Sequence, residues 1–468
     1  MRSQIIIRKY MTLIKSISGI RGTIGGKTGD NLTPVDIVKF TASFATTIAE
    51  KNPGKKLSFV VGRDARISGE NVEQLVNATL TAMGVDVINT GLSTTPTVEM
   101  AVVRHHADAG IILTASHNPA QWNALKLLNS KGEFISGSEG ERVLDLAENE
   151  SFSFENVNNL GHISVETDNI EKHIDAILNL NLVDIELIKQ AGFKIVVDGV
   201  NSTGGIAIPS LLKRLGVSEI VELYCTPDGH FPHNPEPLPE HLTDLSSLVI
   251  SEKADMGIVV DPDVDRLAFV MENGEMFGEE YTLVAVSDYI LQNKPGNTVS
   301  NLSSTKALRD ITEKWGGTYT ASAVGEVNVV EMMKQMNAVI GGEGNGGIIY
   351  PELHYGRDAL VGVALMLTYL AKIKLSLSQL RNTYPDYFVS KNKLQLDPKI
   401  DVAALYNRLV NHYKDYPLLT IDGVKVEFSD GWVHVRTSNT EPIMRIYAEA
   451  TSAEKARFYA DEIIKVMA

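Results

Sequence analysis

Short apolar runs alternate with longer segments of helical periodicity along most of this chain. In the first part, the pattern predicts strands over 57–64, 86–90 and 109–115, separated by helices over 69–83 and 97–105. Two strands joined through a helix are typically parallel, because a parallel crossover needs a dozen or more residues. This segment is therefore predicted to form a βαβαβ unit.

The same order of elements returns twice, and then the pattern changes. The second unit has predicted strands at 194–198, 219–224 and 256–261 and predicted helices at 206–215 and 242–253. The third has predicted strands at 297–302, 318–323 and 338–342 and predicted helices at 281–292, 305–315 and 328–336. From about residue 388, predicted strands at 424–428, 431–437 and 444–450 precede one closing helix at 454–466.

This order predicts an α/β protein with three βαβαβ-type domains, each built on a mixed sheet, and a C-terminal α+β domain with antiparallel strands. A length of 468 residues is also too great for one ordinary core. We expect domains over 12–165, 166–276, 277–387 and 388–468. Residues 1–11 are expected to be a disordered extension, or a stretch added by a start at Met1 in place of Met11.

The charge of the chain narrows the class of partner. A net charge of −15 argues against nucleic acid, because binding many phosphates needs a basic face. An anionic small molecule would need a local cluster of arginine or lysine to overcome this average field. A site for an anionic ligand on this chain should therefore contain such a cluster.

Cysteine usage and hydropathy indicate the compartment. One cysteine, Cys225, excludes an internal disulfide framework and suits a reducing environment. No run approaches the roughly 18 apolar residues of a membrane span, and the apolar stretch at 5–7 is too short for a signal-peptide core. We expect a cytoplasmic protein without membrane contact.

A small polar cluster follows the third predicted strand. Ser116 comes at the strand's end, where open α/β sheets bind ligands, and is a candidate nucleophile. Asn118 and Pro119 could cap and begin a helix. Alternatively, Ser116 caps a turn and has no chemistry.

Three aspartates follow the last strand of the second unit. Asp261, Asp263 and Asp265 alternate with other residues, so an extended backbone would point the carboxylates to one side, where Mg²⁺ could neutralise them. An EF-hand calcium loop is disfavoured, because Arg266 stands where that loop needs glycine. An acidic, solvated turn is the other interpretation.

Two later loops offer hydrogen-bonding groups. The glycine-rich segment 342–347 carries Glu343 and Asn345, which suit sugar hydroxyls. Segment 436–442 begins with Arg436 and precedes Arg445, and these two arginines with two hydroxyls and a run of turn amides could bind a phosphate. The alternative is a loop whose polar groups hydrogen-bond to one another and bind no ligand.

Taken together, four segments resemble the signature loops of the α-D-phosphohexomutases, in that family's order. They are 114–119 with Lys126, 261–266, 342–346 and 436–442. Shorter matches occur at 19–22, 62–69, 227–232 and 324–326. The resemblance implies a four-domain, heart-shaped molecule with one central cleft where the four loops meet.

The resemblance also implies a mechanism. Ser116 would carry a phosphoryl group, and Ser116 with the three aspartates would hold Mg²⁺. Arg21 and Arg266 would steady the transferring group, and Lys126 would act as general base or acid, a role that needs a lowered pKa. A hexose 6-phosphate and a hexose 1-phosphate would interconvert through a bisphosphorylated hexose, which also acts as activator.

Substrate-binding groups follow from the same resemblance. They are Glu343, Asn345, Gly325, Glu326, Arg436, Ser438, Asn439, Thr440 and Arg445. The glycine-rich segment 342–347 is called the sugar loop below. In many members of the family this loop ends with a histidine that serves as second acid or base, but Gly347 stands there in this chain. His117, and more weakly His354, could take that role, although either could also be structural.

The sugar loop resembles phosphoglucosamine mutases and broad-specificity phosphoglucomutase/phosphomannomutases of the archaeal type, while Asn439 differs from the glycine usual in bacterial phosphoglucosamine mutases. We expect a phosphoglucosamine mutase first and a broad-specificity enzyme as the alternative. A metal-dependent sugar phosphatase and a non-catalytic sugar-phosphate sensor are remoter alternatives. The expected partner is a small phosphosugar, and the expected state is a monomer or homodimer.

Overall fold

The computed structural model of the protein describes residues 11–16, 19–397, 400–438 and 443–467. The extension expected before Met11 lies outside the described residues. Within them, no helix is both long and apolar enough to cross a membrane.

The first domain is built on a mixed seven-stranded sheet. Its strands are β1 (Ile14–Ser16), β2 (Gly19–Thr23), β3 (Ser58–Arg63), β4 (Asp86–Leu92), β5 (Ala109–Leu113), β6 (Trp122–Leu128) and β7 (Ile163–Val165). Its helices are α1 (Pro34–Lys51), α2 (Gly69–Ala82), α3 (Thr95–Arg104) and α4 (Gly137–Glu148). The spatial order is β1-β2-β6-β5-β3-β4-β7.

The second and third domains each have a four-stranded sheet. The second contains α5 (Asn169–Leu178), α6 (Ile185–Ala191), β8 (Lys194–Asp198), α7 (Gly204–Arg214), β9 (Glu219–Leu223), α8 (Thr243–Glu252), β10 (Met256–Val260) and β11 (Leu267–Met271). The third contains α9 (Glu279–Asn293), β12 (Asn297–Asn301), α10 (Ala307–Lys314), β13 (Tyr319–Ser322), α11 (Glu326–Met336), β14 (Ala338–Glu343), β15 (Gly347–Ile349), α12 (Ala359–Ile373) and α13 (Leu377–Arg381).

One strand arrangement recurs in all three sheets. The first strand of each unit (β3, β8, β12) lies between the second and third and pairs with both in parallel. The third strand (β5, β10, β14) then pairs with an antiparallel fourth (β6, β11, β15). Three of the four polar clusters identified from the sequence, at 116–118, 261–266 and 342–347, lie where that third strand connects to the fourth. Three equivalent hairpin connections therefore carry the candidate chemistry.

The fourth domain is an antiparallel sheet with two helices. It contains β16 (Phe388–Gln395), α14 (Val402–His412), β17 (Leu418–Leu419), β18 (Val424–Phe428), β19 (Gly431–Thr437), β20 (Ile443–Ala450) and α15 (Ala453–Met467). Adjacent strands pair antiparallel throughout, in the order β16-β20-β19-β18-β17. The predicted fold class, three mixed-sheet domains followed by an α+β domain, is confirmed.

The hydrophobic cores show which domains are packed together. Helix α12 is apolar and buried over nearly its whole length, and it lies in one hydrophobic cluster that includes side chains of both the second and third domains. The first and fourth domains have separate cores. Since packed interiors behave as solids, the second and third domains hold their loops in a fixed relation.

Candidate active site

Ser116 lies just beyond the end of β5, in the connection to β6. Its backbone is left-handed, with φ of 49°, and its amide donates to Oγ1 of Thr114 at 2.9 Å. The Ser116 hydroxyl donates to Oδ2 of Asp261 at 2.6 Å. A strained backbone that aims a hydroxyl at a carboxylate of another domain is typical of a functional loop. The predicted helix beginning at Asn118 and Pro119 is wrong, because the chain turns there and returns along β5 as β6.

A buried arginine that the sequence analysis gave no role organises this loop. The Arg66 guanidinium donates to the backbone carbonyl oxygens of Ser116 at 2.5 Å, Asn118 at 2.7 Å, Pro119 at 2.8 Å and Trp122 at 2.9 Å. Its Nε pairs with Oδ2 of Asp64 at 3.0 Å, and both side chains are wholly buried. Arg66 thus holds the carbonyl groups that a tight loop leaves without secondary-structure partners.

The three aspartates converge because the chain turns between them. Their carboxylate oxygens lie within 4.8 Å of one another, as predicted. The extended backbone given as the reason is wrong: residues 262–263 form a turn, and Val264 has a φ of 65°. A buried β-branched residue rarely adopts that conformation, so the surrounding structure must hold it there.

The oxygen atoms of this cluster fit a divalent cation. Oδ1 of Asp263 and Oδ1 of Asp265 are buried and have no hydrogen-bond partner among the described residues. Burial, with the charges of Asp265 and Asp263, raises the pKa of Asp261 well above its usual range. A hard cation with carboxylate ligands would relieve this repulsion and satisfy the two oxygens. The site therefore has both the donor set and the electrostatic need for a metal ion.

Lys126, on β6, reaches the same cluster. Its Nζ donates to Oδ2 of Asp263 at 2.6 Å and to Oδ2 of Asp265 at 3.1 Å. Burial lowers the pKa of Lys126, but the two carboxylates outweigh burial and raise it overall. An acid or base role for Lys126 was expected to need a lowered pKa. The structure raises this pKa instead. Lys126 is positively charged here, a state that suits proton donation.

His117, Arg21 and Arg266 lie near the Ser116 loop and influence one another electrostatically. Nδ1 of His117 lies 3.5 Å from the Ser116 hydroxyl, and burial, then the charges of Arg266 and Arg21, lower the pKa of His117 well below its usual range. Arg21 donates to the side-chain oxygen of Asn118 at 3.3 Å. The imidazole beside these two guanidinium groups is therefore held in its neutral form, with one ring nitrogen free to accept a hydrogen bond near the serine.

The sugar-loop residues form an ionic cluster around Arg357. Oε1 of Glu343 accepts from the amide of Gly325, and Glu326, at the start of α11, accepts from the Arg357 side chain and amide. Asn345 accepts from the amide of Gly347 at 3.3 Å and so shapes the turn. The structure thus brings Gly325, Glu326 and Glu343 together around Arg357.

The arginines of the fourth domain lie side by side. Arg436 on β19 is the cross-strand partner of Arg445 on β20. Nε of Arg436 donates to Oδ2 of Asp422 at 2.9 Å, and that same oxygen accepts from the amide of Val324 at 3.0 Å. Two neighbouring guanidinium groups are the local positive site that an anionic ligand requires on this acidic chain.

Segment 436–442, the candidate phosphate-binding loop, is only partly described by the structure. The amide of Ser438 donates to the carbonyl oxygen of Ile443 at 2.9 Å. Asn439 and Thr440, two of the predicted substrate-binding residues, lie outside the described residues.

His354 belongs to a separate buried cluster. Its Nε2 and that of His173 lie 3.2 and 3.0 Å from Oδ2 of Asp358, and its Nδ1 lies 3.3 Å from Glu99. Burial lowers the pKa of His354, but Asp358 and Glu99 outweigh it and raise the value to about 10. Its contacts with Asp358 and Glu99, away from Ser116, favour the structural interpretation over the acid–base one.

Sequence reasoning missed Arg66, Arg357 and Asp422. Arg66 lies in the 62–69 match, so that motif was a signal, although it assigned no partner. Arg357 and Asp422 lie in segments without a distinctive pattern. Their contacts join residues from different loops, which no local spacing predicts.

Family models describe every domain of the chain. The models for alpha/beta/alpha domains I, II and III of phosphoglucomutase/phosphomannomutase match residues 13–154, 171–274 and 278–387. The model for the C-terminal domain of the same family matches residues 390–466.

Relatives match over nearly the full length. The chain is 36% identical over 452 residues to a phosphoglucomutase/phosphomannomutase of Thermococcus kodakarensis, covering 95% of this chain and 98% of that protein. It is 34% identical to a probable phosphoglucosamine mutase of Methanopyrus kandleri, covering 96% of each. A crystal structure of a phosphoglucomutase/phosphomannomutase family protein from Burkholderia thailandensis superposes with a TM-score of 0.83 at 26% identity, over 99% of this chain and 98% of that one.

Proposed function

We propose that this chain, which belongs to the phosphoglucomutase/phosphomannomutase family, interconverts hexose 6-phosphate and hexose 1-phosphate through a phosphorylated Ser116. The observation that carries the proposal is the contact between the Ser116 hydroxyl and Asp261, at 2.6 Å, beside two further buried carboxylates. A serine hydroxyl beside a cluster of carboxylates that can hold a metal ion is suited to accepting and releasing a phosphoryl group.

Mg²⁺ is the metal that we propose for the cluster of Asp261, Asp263 and Asp265, with the Ser116 oxygen as a further ligand. Carboxylate and hydroxyl oxygens are ligands that this hard ion prefers. When bound, the ion would neutralise charge on the transferring phosphoryl group. The two partnerless Oδ1 atoms support this assignment.

Two transfers complete one turnover. In the first, the bond from phosphorus to the Ser116 oxygen breaks while a bond forms to the free hydroxyl of the sugar phosphate, whose proton leaves to a base. The resulting bisphosphorylated hexose turns around, and its other phosphoryl group returns to the serine. Arg21 and Arg266 steady the transferring group, and His117 and Lys126 carry protons at this junction.

The phosphate that is not reacting binds the fourth domain. Arg436 and Arg445 supply paired positive charge, and Ser438 begins the loop between their strands. Glu343, with Glu326, Gly325 and Asn345 around it, binds the hydroxyl groups of the sugar ring. Both orientations of the bisphosphorylated hexose present a phosphate to the same arginines.

Glucosamine phosphate is our first choice of substrate, and glucose or mannose phosphate is the alternative. The glycine-rich sugar loop 342–347 and the name of the Methanopyrus relative favour the first choice. The name of the Thermococcus relative favours the alternative. A comparison of kcat/KM for glucosamine, glucose and mannose phosphates decides, because specificity is a difference in transition-state binding.

Ser116→Ala tests the mechanism. We expect loss of mutase activity and loss of the one-phosphoryl mass gain that the active protein should show after incubation with a hexose bisphosphate. Ser210→Ala, on the exposed side of α7, is the matched control and should keep both. Full mutase activity in S116A would refute the covalent route. Phosphate release without any need for bisphosphate would favour the phosphatase alternative.

A further inference from the structure

The side chain of Arg357 contacts carboxylates from three different loops. Nη2 donates to Oδ2 of Asp265 at 2.6 Å and Nη1 donates to Oε2 of Glu343 at 2.9 Å. Nε donates to Oε2 of Glu326 at 2.9 Å. Each nitrogen thus has its own partner, in directions that the planar guanidinium fixes. Lysine has the charge but not this geometry.

Gly347 leaves the space that Arg357 occupies. A Cβ atom at position 347 would overlap Cδ of Arg357 and lie 3.1 Å from its Cγ. Gly347 and Arg357 are therefore complementary: a side chain at the first position would displace the second. The residue that departs from the family pattern in this loop makes room for an arginine that reaches the metal cluster.

The backbone on both sides of Arg357 is also held. A Cβ atom at Gly356 would overlap a carboxylate oxygen of Glu99, so the chain passes closely there. Asp358 caps α12 by accepting from the amides of Leu360 and Val361. An arginine whose backbone and side chain are both fixed can set the position of its partners.

Arg357 determines which oxygen of Asp265 is available. Oδ2 accepts from Arg357 and Lys126, and Oδ1 has no partner among the described residues. Groups that hold a ligand from outside the coordination sphere typically change metal affinity by about 10–100-fold when they are altered. The same arginine holds Glu343, which our assignment places at the sugar.

We propose that Arg357 is a positioning residue that sets Asp265 for a divalent cation and Glu343 for the hexose phosphate at the same time. This inference rests on the proposed function and deepens it. One side chain thereby joins the metal-binding loop to the sugar-binding loop.

Arg357→Lys is the test, because it keeps the charge and removes the three-way geometry. Mn²⁺ affinity is measured by electron paramagnetic resonance. Binding of glucosamine 6-phosphate or glucose 6-phosphate, whichever the wild type binds tighter, is measured by calorimetry. We expect Mn²⁺ to bind about tenfold more weakly and the sugar phosphate about tenfold more weakly. The matched control is Arg214→Lys, which alters an arginine paired with Glu171 and Asp175 on the surface of the second domain and should change neither.

Gly347→Ala gives an independent variant that keeps the guanidinium and presses on its Cδ atom. The same two losses are expected in it, so the test does not depend on whether the lysine variant folds. Weakening of one ligand alone, or of neither, would overturn the proposal. Both readouts are binding measurements, so a wild type without mutase activity would refute the proposed function and leave this test intact.

Discussion

Arg66→Met removes the charge that holds the Ser116 loop and keeps a side chain of similar length. The change breaks a fully buried ion pair with Asp64 and removes the guanidinium donor from four carbonyl oxygens, of which that of Pro119 keeps the amide of Trp122. Removing one partner of a buried pair typically costs about 3–5 kcal/mol. Since about 1.4 kcal/mol is a factor of ten, local opening should become at least about a hundredfold more frequent.

Hydrogen exchange across 114–122 measures that opening without assuming that a four-domain protein unfolds in one step. Faster exchange should be confined to this loop and its neighbours, with a large fall in kcat/KM. Adding Asp64→Asn should recover part of the loss, because the unpaired buried charge is then gone while the side-chain oxygen still accepts. Arg142→Met, which breaks an exposed pair with Glu50, is the control and should cost less than about 1 kcal/mol. Unchanged exchange in Arg66→Met would refute the reasoning.

Two further predictions concern stability. Burial lowers the pKa of His434, which joins Ser303 to the carbonyl oxygen of Asp422, from 6.5 to about 4. Below pH 6.5 the unfolded chain therefore binds a proton that the folded chain does not. Stability should fall by about 3 kcal/mol as the pH drops from 6.5 to about 4. In thermal unfolding, His434→Gln should lose this dependence of stability on pH. An equal fall of stability with pH in the variant and in the wild type would contradict the prediction. Lys374 ends α12 with a φ of 56° on the surface, so Lys374→Gly should raise the free energy of unfolding by about 0.5–1 kcal/mol. Lys372→Gly, inside the helix, should lower it.

Periodicity was sufficient to predict most of the parallel strands and the helices between them. Strands β3, β8 and β12 were each predicted within one or two residues of their observed bounds, because a buried strand flanked by helices has a strong local pattern. The antiparallel strands β6, β11 and β15 were not assigned a partner. A short apolar run carries no information about its direction, so pairing depends on the turn that precedes it.

Some residues of the candidate site were predicted from the sequence and others were not, for a related reason. Ser116 and the three aspartates follow strands directly, and their residue types indicate their chemistry. Arg66 and Arg357 reach the site across 50 and 92 residues of chain. The motif around Arg66 indicated no partner for it, and Arg357 is indistinguishable in sequence from a surface arginine. Their burial shows their importance, and burial is a property of the folded chain.

The order of residues thus specified the elements, the polar loops and the kind of chemistry, since these depend on local spacing and residue type. Folding specified which loops meet. The raised pKa of Lys126 and the three-way contact of Arg357 both arise between segments that are separate in the chain. Electrostatic interactions depend on distance and burial, so neither could be derived before the domains were packed together.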